Sequence, residues 1–404
     1  MPTKILFISN DASVTGAPTV LLHLLRYLRI HTDIAATVLM INGGALEVSF
    51  AEVAQATHIW NRIIPSASPK SIYRIIWERL QYKFTGVLKR KPTNQEIVLN
   101  ELKNEKFDLI YANTIVSNQL LPILKQYFAA PVISHIHEMP FSIRAYFSNM
   151  LNVEYTSLID WYICVSKLAA KNVSEEWCLP PDKITLINEF IDISRISQPA
   201  VGADLIRNEL LLKNCFVVGA CGTGNWRKGI DLFINISRLF TKNNPGLSVK
   251  FIWVGDVSKE VIEGYHYENA LLNVESNIIF TGVSATPQNY FQIFDVFLLT
   301  SREDPFPLVG LEVAALSKPM VCFAGATGIV ELIAEDGGKV VPYANIDTMA
   351  AEIFQLFHDK EKLKLMGENL FSRVKQYDVS VTAPKILQLI EKVIGDVMSQ
   401  NKHL

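Results

Sequence analysis

At 404 residues, with 49% hydrophobic and 19% charged residues, the chain has material for two or three packed domains and is too apolar to remain a solvated tail. A net charge of −2 supplies no global field for nucleic acid, so no nucleic-acid partner is expected and any attraction to anions must be local. The five cysteines, Cys164, Cys178, Cys215, Cys221 and Cys322, form no CxxC pair and so read as reduced thiols rather than as zinc ligands.

In chain order, "KILFIS" is a short apolar run of strand length, far below the ~18 to 20 apolar residues of a membrane helix, a length that no later stretch approaches. A cytoplasmic chain is expected. "DASVTGAPTVLLHLL" then makes a strand-to-helix turn, with Gly16 just before Pro18 at an early helical position. After "AATVLMI" comes a basic segment, residues 68–92, with Lys or Arg at 70, 74, 79, 83, 89, 90 and 91 against the single acid Glu78. Its apolar side carries Tyr73, Trp77, Leu80 and Phe84. Two readings stay open: an interfacial helix lying on an anionic membrane surface through residues 70–91, or an ordinary helix with a basic outer face.

"DLIYANT", "PVISHIH" and "WYICVS" continue a series of near-continuous apolar strands separated by amphipathic segments, the mark of a parallel sheet covered on both faces. "INEFIDISRISQPAVGADL" lacks apolar periodicity and reads as a linker. A second series follows: "CFVVGACG", "VKFIWVGD", "NIIFTG", "VFLLTS", "PMVCFAG" and "GKVVPY". The expected class is α/β, with two doubly wound parallel-sheet domains that meet across a ligand cleft. The domains are placed at 1–195 and 196–382, with a final helix, 383–404, returning to the first.

"VVGACGTGNWRKGID" spaces its glycines GxxGxG instead of the GxGxxG of dinucleotide binders, which disfavours a dehydrogenase. The loop still suits phosphate, because Arg227 and Lys228 stand beside a helix start whose free N–H groups favour anions. "SREDPFPLVGLEVAALSKP" sets Asp304 and Glu312 around seven residues, then an apolar helix and a Lys-Pro stop.

Together these residues resemble the GT-B-fold retaining glycosyltransferases of the "family four" or group 1 type over nearly the whole chain, and the acid-x7-acid stretch is the strongest match. The resemblance implies that Glu312 holds ribose hydroxyls and that Asp304 bonds hydroxyls of the transferred sugar. The main-chain N–H groups of Phe306, Leu308 and Val309 would face the sugar and diphosphate. Pro307 replaces the family's usual glycine and has no N–H to give. Lys228 and Gly229 look like the family's Lys-Gly, so Lys228 would neutralise the diphosphate. Thr223 stands where an arginine is usual, a role that Arg227 can fill. The base is expected beside Val283, and the first glycine turn would bring Gly16 to the diphosphate. "PVISHIHEMP" resembles the family's histidine-acid motif, which places His137 and Glu138 near the donor sugar, while His135 reads as core or lining.

No D-x-D occurs, so no metal and no cofactor is expected beyond the UDP-sugar donor substrate. The implied reaction moves a hexosyl group, glucose as the leading choice, to a saccharide or lipid-linked acceptor in polysaccharide or glycolipid assembly. It retains configuration, and a front-face path is favoured over a covalent glycosyl-enzyme. The alternatives are a GT-B-fold nucleotide-sugar epimerase, a GDP-mannose-dependent mannosyltransferase and a non-catalytic nucleotide-sugar binding module.

Overall fold

The computed structural model describes residues 2–62, 92–147, 152–197 and 201–400. The basic residues at 70–91 lie outside the described residues. Among the described residues the strands build two parallel sheets. The seven-stranded sheet has the order β3-β2-β1-β4-β5-β6-β7 and the six-stranded sheet β10-β9-β8-β11-β12-β13. The first comprises β1 Lys4–Ser9, β2 Ala35–Met40, β3 Ala56–Ile59, β4 Leu109–Asn113, β5 Val132–Ile136, β6 Trp161–Cys164 and β7 Ile184–Leu186. The second comprises β8 Phe216–Cys221, β9 Val249–Val254, β10 Ile278–Gly282, β11 Val296–Leu299, β12 Met320–Phe323 and β13 Gly338–Val341. Two doubly wound sheets with helices are the architecture expected from the alternation of apolar runs.

The inner strands are apolar along their whole length because helices cover both of their faces. β4, β5, β11 and β12 are buried at every residue. Each of the eleven apolar runs becomes a strand. The remaining two, β3 and β7, are short edge strands without a fully buried residue, so their sequences carry little pattern.

The chain divides into two compact units, residues 1–132 and 133–404. In the first, the helix Gly16–His31 buries Leu21, Leu24, Leu25 and Leu28, and Gly16 opens it with nothing within 4 Å of where a Cβ would stand. The second unit contains the whole six-stranded sheet and two of its buried clusters. Val217, Ile252, Phe297 and Leu311 belong to one cluster. Phe233, Phe251, Trp253 and Leu298 belong to the other.

The opening of the stretch read as a linker, residues 187–191, is packed. Ile187, Phe190 and Ile191 are buried. Ile191 accepts the N–H of Val379 at 2.8 Å and donates its own N–H to the Tyr377 carbonyl at 3.1 Å. An irregular backbone satisfied by a distant segment shows no period, which is why its sequence looked unstructured. The final helix, Val379–Gln400, sets the Lys392 ammonium 4.0 Å over the Trp161 ring of β6.

Candidate functional site

The second unit gathers its chemistry at the carboxyl ends of its strands, where open parallel sheets bind ligands. The loop after β8 folds around Asn225, whose side chain accepts the Lys228 N–H at 2.9 Å and whose carbonyl accepts the Gly229 N–H at 3.1 Å. Gly229 then starts the helix Ile230–Asn243 with φ +70°, and a Cβ there would lie 2.0 Å from the Thr300 carbonyl oxygen. Gly222, at φ +144°, lets the Lys228 stem pack 3.3 Å from where its Cβ would be. Only glycine meets both demands without strain.

The loop after β11 is fastened to that loop. The Thr300 hydroxyl donates to the Lys228 carbonyl at 3.0 Å and the Arg302 N–H donates to the Arg227 carbonyl at 2.8 Å. These bonds bring the Lys228 ammonium within 2.5 Å of Asp304 Oδ2, although the residues stand 76 positions apart. The Ser301 hydroxyl donates to the same oxygen at 3.2 Å. Among the described residues, Asp304 Oδ1 faces only the Arg227 guanidinium, at 4.0 Å. Burial works to raise the Asp304 pKa, but Lys228, with help from Arg227, outweighs it and holds the carboxyl below its usual range. Arg227 also donates to the Glu303 carbonyl at 2.9 Å.

The helix Leu308–Ala315 is apolar except at Glu312 and buries Leu311, Val313 and Ala314, so it sits deep in the unit. Ser317 at φ +56° and Pro319 end it. Its one acid, Glu312, is half-buried and has no hydrogen-bond or ion-pair partner among the described residues, and burial alone pushes its carboxyl up to about 7. Glu312 also adds to the burial that pushes the Cys221 thiol up to about 12, and Lys228 offsets part of that push. The cation, the two acids and the glycine loop therefore form one cluster. The amides of Phe306, Leu308 and Val309 give to no acceptor among the described residues, and the Phe306 ring is buried against Tyr377 at 5.4 Å. Pro307 occupies the N-cap position.

At the end of β5, His137 donates its backbone N–H to Glu138 at 2.9 Å, and its Nδ1 lies 2.6 Å from Glu189 Oε1. The His137 and Glu189 side chains are both 5% exposed. Burial disfavours the imidazolium, but Glu189, and then Glu138, outweigh it and raise the His137 pKa. Behind it, burial and the neighbouring His137 push the His135 pKa well down, so His135 is a neutral core residue, with the two rings 4.0 Å apart. His137, Glu138, Ser142, Asn225, Arg227 and Pro305 line a cavity of about 590 Å³.

Glu189 was not visible as a site residue. Its only sequence signal is an acid between apolar residues in "LINEFID". Because folding raises the His137 pKa, the pair stabilises the fold at pH values below the ordinary histidine pKa, and that contribution is lost as the pH rises through the raised value. Glu189→Gln is therefore expected to move the alkaline limb of the pH–activity profile to lower pH. It is also expected to reduce kcat/KM by about ten- to a hundredfold, the scale of one hydrogen bond to a charged group. An unchanged alkaline limb in a pH series of initial rates would reduce Glu189 to a packing role.

Val283 is 79% exposed after the carboxyl end of β10. Gly16 belongs to the first unit and is described there.

Known protein families match both halves of the chain. The model "Glycosyltransferase Family 4" matches residues 14–195 and "Glycosyl transferases group 1" matches residues 214–359, which together cover most of the chain. The chain belongs to the group 1 glycosyltransferases. It is 31% identical to the alpha-galactosylglucosyldiacylglycerol synthase of Streptococcus pneumoniae over 35% of this chain and 38% of that one, so the match spans well under half of that relative. It is 22% identical to the UDP-Gal:alpha-D-GlcNAc-diphosphoundecaprenol alpha-1,3-galactosyltransferase of Escherichia coli, over 68% of this chain and 72% of that one. Among solved structures, Anabaena HepE in complex with UDP and glucose shares the fold with a TM-score of 0.77 at 20% identity, over 96% of this chain and 99% of that one.

Proposed function

We propose that this group 1 glycosyltransferase moves a hexosyl group, glucose as the leading choice, from a UDP-sugar to a saccharide or lipid-linked saccharide, and retains the anomeric configuration. The observation that carries the reading is the buried Lys228–Asp304 pair in one cluster with Glu312, a half-buried acid without a partner among the described residues. Such an acid is poised to accept two ribose hydroxyl bonds at once, and charged acceptors are about twice as strong as neutral ones. The E. coli relative is by name a UDP-Gal transferase and the Anabaena protein binds UDP, which supports UDP over GDP. The assembly of polysaccharides or glycolipids at the cytoplasmic side of a membrane is the setting that such acceptors suggest.

In this reading Lys228 and the unspent amides of Leu308 and Val309 take the charge that develops on the departing diphosphate, with the positive end of the helix Leu308–Ala315 behind them. Asp304 has a double duty. Oδ2 holds Lys228 in place, while Oδ1 is left to accept a sugar hydroxyl. As the bond between the anomeric carbon and the phosphate oxygen breaks, the acceptor oxygen bonds to the same face of that carbon and its proton passes to the leaving phosphate oxygen. His137, at the edge of the cavity, donates to a sugar hydroxyl. Cations and amides carry the phosphate charge, so no divalent ion is required.

Proton NMR of the products formed from UDP-α-glucose tests the reading. The first-formed sugar, whether released by slow hydrolysis or transferred, is expected in the α configuration. UDP and UDP-glucose are expected to raise the melting temperature more than GDP or ADP species do, because a ligand that binds only the folded state stabilises it. A β-configured first product would rule out retention.

A further inference from the structure

Trp226 has no role in the donor reading above, yet Arg302 engages both its ring and its carbonyl. The residue is 52% exposed, so folding leaves unused about half of the ~1.5 to 3 kcal/mol that burial of a large apolar side chain can supply. A fixed geometry holds it there. The Arg302 guanidinium lies 4.9 Å from the Trp226 ring centroid and donates to the Trp226 carbonyl at 2.7 Å. Arg302 is itself fixed by two bonds to Asp231, at 2.8 and 2.6 Å. Phe141, 39% exposed, meets the indole at 4.8 Å with the rings inclined by 46°. The indole N–H has no acceptor among the described residues.

These two rings form an angled apolar wall on the same 590 Å³ cavity that His137 and Arg227 line. Among the described residues, Lys228, Asp304 and Glu312 are not part of that lining, whereas Arg227, 4.0 Å from Asp304 Oδ1, is, so the cavity borders that cluster. We propose that the Trp226–Phe141 wall is the binding site for the sugar ring of the acceptor, a deepening that rests on the transferase reading. The C–H face of a pyranose is weakly electropositive and packs against the negative faces of aromatic rings. Ser142, Asn225 and Glu138 on the same lining supply donors and acceptors for its hydroxyls. A lipid tail would instead desolvate those polar groups without pairing them, at ~1 to 3 kcal/mol each, so a hydrocarbon is the poorer occupant. Trp226, as a rigid amphipathic anchor with one free N–H, is the residue type that dominates recognition sites.

The test uses the full chain, UDP-glucose, and methyl and octyl glycosides of glucose, galactose and N-acetylglucosamine as acceptor probes, with UDP release as the readout. At least one glycoside is expected to stimulate release by the wild type. For that glycoside, Trp226→Ala is expected to raise the apparent KM about tenfold with kcat within about threefold, the size of one aromatic stacking contact. Trp226→Phe should restore most of the affinity, and the thermal shift given by UDP alone should stay at the wild-type value. Phe141→Ala is expected to act in the same direction and serves where Trp226→Ala does not fold. A fall in kcat at constant KM, or a loss of the extra thermal shift of UDP-glucose over UDP, would overturn the assignment in favour of a structural or donor-sugar role. So would a wild type that binds UDP-glucose while no glycoside stimulates it. If the wild type ignores UDP-glucose itself, the transferase reading is the one that fails, and the acceptor site fails with it.

Discussion

Lys228→Met is expected to lower kcat by about a hundred- to a thousandfold, the usual cost of removing one preorganised donor to a developing oxyanion. The same change leaves Asp304, with a side chain only 7% exposed, as a buried carboxylate whose one remaining cation among the described residues is Arg227, at 4.0 Å. Breaking a buried pair by removing one partner costs about 3 to 5 kcal/mol, so the melting temperature should fall by several degrees. These two effects have different origins and separate in the double variant. Lys228→Met with Asp304→Asn removes both charges and is expected to recover most of the melting temperature and none of the turnover. Calorimetry and initial rates on the two variants check this. A double variant that regained activity along with stability would reduce Lys228 to a structural counterion.

Glu312→Ala has the second large effect, on nucleotide affinity. Two hydroxyl bonds to a charged acceptor disappear, and an affinity loss of about a hundredfold is expected for UDP. The pH dependence carries a sharper signature. Burial places the Glu312 carboxyl at about 7 in the free protein, and a ligand that donates hydroxyl bonds favours its ionised form. Below pH 7 the carboxyl is largely protonated, so UDP binding must expel a proton. Affinity should then weaken by up to about tenfold for each unit of further acidification. Titrations at pH 6 in two buffers of different ionisation enthalpy measure the released proton directly. Glu312→Gln, which has no proton to lose, should flatten the dependence. A wild-type affinity that is constant between pH 5.5 and 8, bounds chosen to bracket the value of about 7, would contradict this role.

Much of this arrangement was legible in the chain before its structure. Parallel strands buried on both faces write themselves as unbroken apolar runs, and "DLIYANT" or "VFLLTS" cannot easily be anything else. The edge strands Ala56–Ile59 and Ile184–Leu186 escaped notice because half-buried segments of three or four residues have no room for a pattern. The spacing of Asp304 and Glu312 was readable because both acids lie in one loop-helix unit. Their different situations were not. A local motif says nothing of a partner 76 residues away, so Lys228 and Asp304 were assigned separate ligands when each is also the other's counterion. Glu189 was hidden for the same reason. It reaches His137 across 52 residues from a segment without periodicity. Trp226 was passed over because a lone aromatic beside two cations has no spacing to read, and only the Arg302 contact beneath it reveals how firmly it is held.

The central claim is that Glu312, Lys228 and Asp304 make a nucleoside diphosphate-sugar site that works with protein cations and amides alone. A calorimetric titration of UDP into the purified wild type in the presence of EDTA tests it most directly. Saturable binding at one site per chain is predicted, with the same Kd when magnesium replaces EDTA and with the binding largely lost in Glu312→Ala. No binding of UDP, GDP or ADP, or binding that arises only when a divalent cation is supplied, would contradict the account.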